Sequence, residues 1–242
     1  MAYGQYIEEQ NRLKIQGLQN QKISLLDEAV RQRTDQLNTM RQTVAADFHD
    51  ETGNVLAAIT RQAALLEVHL YHQPEVLPIV KNIIDNSNRL YASSKDFLWD
   101  LNHQSDNPEV LFYYLTAYGQ QYYNQFDIAF SAELKSRPAV PGQLPPLASL
   151  NLIYIFKEAM GNVIKHAGAT EVTLELAQTA HEVTYALQDN GRWVEPAAGT
   201  AHYGLQNMRH RCHKHQLRLG LLTAAHGTRI EVAAPVQTAF IN

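Results

Sequence analysis

Ile23, Val30, Leu37 and Val44 recur every seven residues, with Leu26 and Met40 at positions between them. That spacing keeps one seam of a helix apolar and reads as a coiled coil, interrupted by Gln16 and Arg33. The stripe continues at helical spacing through Phe48, Val55, Ile59, Leu66 and Leu70. No proline occurs from residue 5 to residue 72, and Gly17 and Gly53 sit inside the pattern. One helix over about 20–70 is predicted. Its stripe cannot face water alone, so it needs a second helix or a second copy of the chain. His72-Gln73-Pro74 ends it. Ile79, Ile83, Leu90, Phe97 and Leu101 then predict a second helix. Two long helices joined by a short turn form a hairpin, and two hairpins pair as a four-helix bundle, so a homodimer is expected. The bundle ends near Asn102-His103, and Ser105-Asp106-Asn107-Pro108 reads as a linker.

From Glu109 the pattern changes. A helix fits 109–124, an alternating strand 126–132, a proline-rich loop 137–146 and a helix 147–166. Apolar residues at 172, 174 and 176, and again at 183, 185 and 187, predict strands over 171–177 and 182–188. Gly204 opens a helix to about 216, and 217–224 with 228–234 form a hairpin around His226-Gly227. The class is α+β: a long helical hairpin forming a dimeric bundle, then an α/β sandwich with antiparallel strands on one face of helices. Three segments result: a coiled-coil signalling helix over 1–43, the helical hairpin over 44–104, and the sandwich domain over 105–242.

Composition narrows the function. The 242 residues are 45% hydrophobic, enough for a core beside the helical stem. A net charge of -4 gives no general attraction to nucleic acid or to an anionic membrane. No run of about 18 apolar residues exists, and the polar N-terminus is unlike a signal peptide, so no membrane contact is expected in this stretch. Cys212 stands alone, which excludes an internal disulfide framework and fits a reducing, cytoplasmic compartment. If the natural protein senses across a membrane, that portion lies elsewhere.

The candidate nucleophile is His49, in Phe48-His49-Asp50-Glu51-Thr52-Gly53-Asn54 on the first helix. At 100° per residue it lies on the flank of the stripe, toward water. Gly53, Ala45, Ala46 and Ala57 leave room around it for another domain to approach. A histidine with an ordinary pKa near 6.5 is mostly unprotonated at neutral pH and able to attack phosphorus. Asp50 can hold one ring nitrogen and take up a proton. His-Asp alone is a common surface pair.

A second constellation is more specific. Glu158, Asn162, Lys165 and His166 fall three to four residues apart and share a face on a straight α-helix. The amide oxygen of Asn162 suits Mg²⁺, Glu158 can orient a metal-bound water, and Lys165 and His166 offer donors to phosphate. A strand ends in Asp189-Asn190-Gly191. There a carboxylate can accept from the exocyclic amine of adenine, while Gly191 lets backbone approach the ring. Gly204-Leu205 opens a helix whose N-terminus suits phosphate. Gly227-Thr228 opens the last strand, with the Thr228 hydroxyl available to an adenine–water network.

In this order the motifs resemble those of sensor histidine kinases with an ATP-binding domain of the GHKL (Bergerat) type. His49-Asp50 with Asn54 resembles the subfamily whose phosphoacceptor motif reads H-D-x-x-x-Q. Phe97-Leu98-Trp99-Asp100-Leu101-Asn102 resembles the end of its second bundle helix. Glu158-Ala159-Met160-Gly161-Asn162-Val163-Ile164-Lys165-His166-Ala167 resembles its N-box, Asp189-Asn190-Gly191 its G1 box, and Gly204-Leu205-Gln206-Asn207-Met208-Arg209 its G2 box. The resemblance covers about residues 40–235. It implies that His49 accepts the γ-phosphoryl group of ATP, that Asp50 serves as base, that Asn162 binds Mg²⁺ and that Asp189 recognises adenine. It also implies a response regulator whose receiver aspartate takes the phosphoryl group. Asn54 stands one methylene shorter than the glutamine that positions water for phosphatase activity. Trp193 follows Arg192 where a second G1 glycine is expected, and the lid up to Tyr203 is short.

Other clusters carry less. His210, Cys212, His213 and His215 do not share one helix face, so a solvated helix is expected there rather than a zinc site. Tyr113, Tyr114, Tyr118, Tyr122 and Tyr123 have no basic groove beside them, so packing and surface display are expected. Trp99 reads as packing. Two other functions fit less well: a GHKL-type ATPase without phosphohistidine, and a degenerate kinase acting as a dimeric scaffold.

Overall fold

The computed structural model describes residues 2–102, 104–138, 142–192, 203–224 and 227–238. The expected bundle end at His103, the lid over 193–202, the hairpin tip at His226 and part of the proline-rich loop lie outside the described residues. Helix α1 runs over Ala2–His69 and α2 over Leu77–Asn102. At about 1.5 Å per residue, α1 is roughly 100 Å long. The turn between them falls at Leu70–Pro74, where Gln73 N–H bonds the Leu70 carbonyl at 2.8 Å.

The hairpin closes on small side chains. Ala45, Leu56 and Ala63 of α1 are buried, as are Val80, Ser87, Ser94 and Leu98 of α2. Ser87 donates to the Leu56 carbonyl at 3.4 Å, and Phe48 meets Phe97 edge-on with centroids 5.6 Å apart. The larger apolar residues of the predicted stripe face outward in one chain. Val44, Val55, Ile59 and Leu66 of α1 are exposed, and so are Ile79, Ile83 and Leu90 of α2. The seam residues Ile23, Val30 and Leu37 are exposed too. The stem thus has two faces, a narrow one that closes the hairpin and a broader apolar one still without cover.

Asn107 caps α3 (Pro108–Tyr123), accepting from Glu109 N–H at 2.9 Å, with proline at the first turn. Then follow β1 (Ala129–Ser136), β2 (Gly142–Gln143), α4 (Ala148–Asn162), a π-helical segment (Val163–Ala167), β3 (Glu171–Gln178), β4 (Glu182–Asp189), α5 (Tyr203–Lys214), β5 (Arg218–Ala224), β6 (Gly227–Pro235) and β7 (Gln237–Thr238). The main sheet has the order β1-β3-β4-β6-β5. Helices α3, α4 and α5 cover one face. Leu111, Leu115, Ile153, Phe156, Met160 and Met208 bury fully or nearly so against Leu174, Leu176, Tyr185 and Val232.

Two expectations need correction. The strands are not all antiparallel, because β1 pairs parallel with β3. Helix α4 lies between them in the chain and carries it back to the same end of the sheet, which is what parallel pairing requires. The first strand also begins later than 126. Phe126 packs against Tyr122 with centroids 5.5 Å apart, and Asp127 turns the chain at φ 53 before β1 starts. Short β2 pairs with β7 inside the stretch expected to be loop.

Tyr185, fully buried in β4, donates to the Pro108 carbonyl at 2.7 Å and ties the sheet to the start of α3. Tyr185→Phe keeps the ring and removes that bond. It is expected to lower the unfolding free energy by about 1 kcal/mol in urea titrations, without changing the denaturant slope.

Candidate functional site

His49 lies on α1 with its side chain 64% exposed. Its Nδ1 is 3.4 Å from Oδ1 of Asp50, which is itself open to water. The Cβ position of Gly53 meets only a Tyr91 ring carbon, at 4.0 Å. Asn54 is exposed beyond it. The imidazole is therefore accessible, with Asp50 within reach of one ring nitrogen.

The second constellation is assembled by α4 and its π-helical extension. The apolar side of α4 anchors it, with Leu152, Phe156, Ala159 and Met160 buried. Its polar residues Glu158 and Asn162 are half-buried. Gly204, at the start of α5, comes so close that a Cβ there would meet Glu158 Oε1 at 2.2 Å. Leu205 is half-buried, and Met208 and Cys212 hold α5 in the core. Arg211 of α5 donates to Asn151 at 3.2 Å and covers the Tyr154 ring, fixing α5 against α4.

Beyond Asn162 the helix widens to π geometry until Gly168, which ends it at φ 57. Each π turn takes more residues than an α turn. The shared face read from α-helical spacing therefore holds for Glu158 and Asn162 but not automatically for Lys165 and His166, which are exposed. The widened turn brings the Ala167 carbonyl to the Asp189 loop. Arg192 N–H bonds it at 2.9 Å, and a Cβ on Gly191 would lie 2.3 Å from it. Asn190 accepts from Thr170 N–H at 2.9 Å and Glu171 N–H at 3.0 Å, pinning the loop to β3.

Asp189 is 6% exposed at the end of β4. Gly191 N–H donates to its Oδ1 at 2.8 Å, and the Thr228 backbone N–H bonds the carboxylate as well. Burial pushes its pKa up, and the two N–H donors only partly offset this. Thr228 is buried opposite Asp189 in the β4–β6 ladder. Gly227 before it has φ 123, with its Cβ position 2.5 Å from the Asp189 carbonyl. Along α4 and its π-helical extension, Asn162 thus lies between the approach of Gly204 to Glu158 and that of Gly191 to Ala167, and Gly191 also bonds Asp189. No described contact joins His49 to this group.

Around the site, a Cβ on Gly161 would lie 3.9 Å from the Tyr122 hydroxyl. Trp99 stacks on Tyr114 at 3.9 Å, which is packing. Burial raises the Cys212 thiol to about 11, which keeps it protonated and inert at neutral pH. Among the described residues no three His, Cys, Asp or Glu side chains gather as a metal-holding group. Among them, too, no helix is long and apolar enough to cross a membrane. Sequence reasoning missed the π turn and a buried ion pair between Asp96 and Lys157. Asp96 is one of three acids, with Asp85 and Asp100, in an amphipathic second helix, and nothing in the sequence singles it out.

Two stability outcomes test this geometry. Gly191→Ala collides with backbone and is expected to cost about 1–3 kcal/mol, whereas Gly204→Ala meets only the movable end of Glu158 and costs little; thermal unfolding of both reads the contrast. For Asp189 the folded pKa is raised, so the folded chain keeps this proton to higher pH than the unfolded chain. Stability from this group is present at acid pH and falls as pH rises through the folded pKa. Asp189→Asn is thus expected to melt no lower than wild type at pH 7, with the difference shrinking as pH is lowered.

No protein-family model matches the chain. Curated relatives do. The nitrate/nitrite sensor protein NarX of Escherichia coli K12 is 28% identical over 188 residues, 74% of this chain and 30% of NarX. The signal transduction histidine-protein kinase/phosphatase UhpB of Salmonella typhimurium is 25% identical over 207 residues, 81% of this chain and 39% of UhpB. The sensor protein VraS of Staphylococcus aureus is 24% identical over 234 residues, 93% of this chain and 63% of VraS. Among solved structures, the histidine kinase domain of a blue-light activated histidine kinase from Erythrobacter litoralis aligns at 13% identity and TM-score 0.47, over 76% of this chain and 94% of that one. The chain is therefore a relative of bacterial sensor proteins, one of them named a histidine-protein kinase/phosphatase, and it spans between 30% and 63% of their lengths.

Proposed function

We propose that this chain is the catalytic portion of a sensor histidine kinase. It binds ATP, phosphorylates His49 and passes the phosphoryl group to an aspartate in the receiver domain of a response regulator. The observation that carries this is the arrangement along α4: Asn162 lies between the Glu158–Gly204 contact and the Ala167–Gly191 contact, in a chain that also presents an exposed His49 on a helical stem. The relatedness to UhpB supports the same reading.

Each residue has a role that fits its surroundings. Asp189 is buried, has no ion-pair partner among the described residues, and accepts from the Gly191 and Thr228 N–H groups, a setting that suits a further donor such as the exocyclic amine of adenine. A side chain at Gly191 would strike the Ala167 carbonyl and one at Gly227 the Asp189 backbone carbonyl, so both glycines let the chain close around Asp189, and Thr228 adds a hydroxyl. Glu158 and Asn162 present hard oxygens four residues apart, a donor set that fits Mg²⁺. Bound Mg²⁺ neutralises charge on the phosphates. Lys165 and His166 are exposed donors for phosphate oxygens, and the Gly204-Leu205 helix start offers backbone N–H groups.

At His49, Asp50 stands beside Nδ1, which leaves Nε2 to attack. The Nε2 lone pair forms the N–P bond while the bond from the γ-phosphorus to the β,γ-bridging oxygen breaks. ADP leaves with that electron pair, and the Nδ1 proton is shared with Asp50. Asn54 stands where the resembling motif has its water-positioning glutamine and is one methylene shorter, so phosphatase activity is no part of this reading. The exposed stripes of α1 and α2 are what a second copy covers, making the working unit a homodimer.

The test uses γ-labelled ATP with wild type, His49→Gln and Asp189→Asn. Acid-labile, base-stable label on wild type alone is expected, with nucleotide binding lost in Asp189→Asn. Phosphate release without protein label would instead indicate an ATPase, and neither signal would indicate a scaffold.

A further inference from the structure

The ATP-binding domain is fastened to the stem by a cluster that the phosphoryl-transfer reading does not use. Asp96 of α2 is buried, and its Oδ1 receives both the Lys157 ammonium of α4 and the Tyr114 hydroxyl of α3, the latter at 2.6 Å. The ammonium also lies 4.1 Å from the Tyr118 ring centre and 5.5 Å from that of Tyr114. One turn along α2, Trp99 stacks on Tyr114, and Asp100 accepts from Ser149 at the start of α4. Ser105 donates to the Asp100 carbonyl at 3.0 Å and lies 3.4 Å from Ser149. Three charged groups and three hydroxyls in a half-dry seam make a join that holds one geometry and resists sliding.

The position of this join matters. At 3.6 residues per turn, Asp96, Trp99 and Asp100 lie roughly 170° around α2 from Val80, Ser87, Ser94 and Leu98, which face α1. They lie about 130° from the exposed stripe of Ile79, Ile83 and Leu90. The fastened domain therefore rides on the outer side of α2, clear of the stripe that a second copy covers. Along the stem it sits level with His49. Leu56 meets Ser87, Gly53 meets Tyr91 and Phe48 meets Phe97, so His49 lies opposite residues 95 and 96. Helix α2 then stands between the domain and the helix that carries the phosphoacceptor of the same chain.

We propose that Asp96, Lys157 and Tyr114, with the Asp100–Ser149 bond, form a latch that parks the ATP-binding domain away from His49 and must open before phosphorylation. This rests on the kinase reading. The latch acts by position and touches neither nucleotide nor phosphoacceptor. Because Lys157 adjoins Glu158 on α4, a twist of α2 pulls directly on the helix that carries the proposed nucleotide ligands. The stem can thereby sense whether the domain is docked, and the coupling is reciprocal.

The test compares wild type with Asp96→Asn and with the double variant Asp100→Cys, Ser149→Cys, oxidised and reduced. Initial rates of label transfer from γ-labelled ATP are read beside binding of a fluorescent ATP analogue. Asp96→Asn is expected to label several-fold faster than wild type. The oxidised double variant is expected to bind the analogue as wild type does but to label at least tenfold more slowly, with recovery on reduction. Equal or faster labelling in the oxidised form, or loss of analogue binding there, would overturn the latch while leaving the kinase reading intact. An absence of label in wild type would overturn the kinase reading itself, and the latch with it.

Discussion

Helix α4 is held from three directions, by the sheet, the stem and α5, and the rest of the domain follows from that. Ile153, Phe156 and Met160 press it into the sheet, Ser149 and Lys157 tie it to the stem, and Glu158 and Asn151 meet α5. Its far end, widened by the π turn, accepts the Asp189 loop at Ala167. A close-packed helix held on several sides shifts as a unit, so displacements at any one contact reach the others. The polar residues Glu158 and Asn162 are held in place by packing that has nothing to do with their chemistry.

Two buried carboxylates show how the same burial serves different ends. Asp96 is paired with an ammonium and a phenol, which compensates its charge and spends its acceptor capacity. Burial raises the pKa of Asp189, the two backbone N–H groups only partly offset it, and among the described residues no ion pair compensates its charge. Burial without a counter-charge is a standing cost that selection for stability alone would remove. A group kept in that condition at a strand end, beside glycines with no room for side chains, is suited to a ligand that brings hydrogen-bond donors. Asp96 by contrast is a structural anchor. The Tyr118 hydroxyl nearby, pushed up to about 12 chiefly by burial, stays neutral and lines the cation without competing for its charge.

Much of this was legible in the residue pattern. Long apolar periodicity placed α1 and α2, and strict alternation at 172–176 and 183–187 placed β3 and β4, because a half-buried strand must alternate. Glu158, Asn162, Asp189, Gly204 and Thr228 of the proposed site stand out in the sequence as polar or glycine positions interrupting otherwise apolar elements. What the pattern missed depends on contacts between distant segments. Edge strand β1 is mostly exposed and carries no alternation to fix its start or direction. The π turn leaves no mark in composition, since it is imposed by where the Asp189 loop needs the Ala167 carbonyl. The Asp96–Lys157 pair spans 61 positions, and an acid within an amphipathic helix looks like a solvated flank until its partner is known.

The stem raises the same point about which contacts carry the energy. Its closing face sets Leu56, Val80 and Leu98 among Ala45, Ala63, Ser87 and Ser94, and these small side chains bury little apolar area each. At about 25 cal/mol per Å² such a face contributes modestly, while the exposed valines, isoleucines and leucines offer far more if covered. A hairpin closed by small residues and stabilised mainly by what packs on its outside takes its final geometry from that association. Helix α1 runs unbroken from the heptad seam through His49. With no proline or turn to absorb a change of phase, rotation of the seam turns the imidazole about the same axis. Small residues at the closing face make that rotation cheap, because alanine and serine slide past one another with little overlap to lose. In the proposed kinase, this internal face would let the upstream end of α1 set the direction in which His49 points.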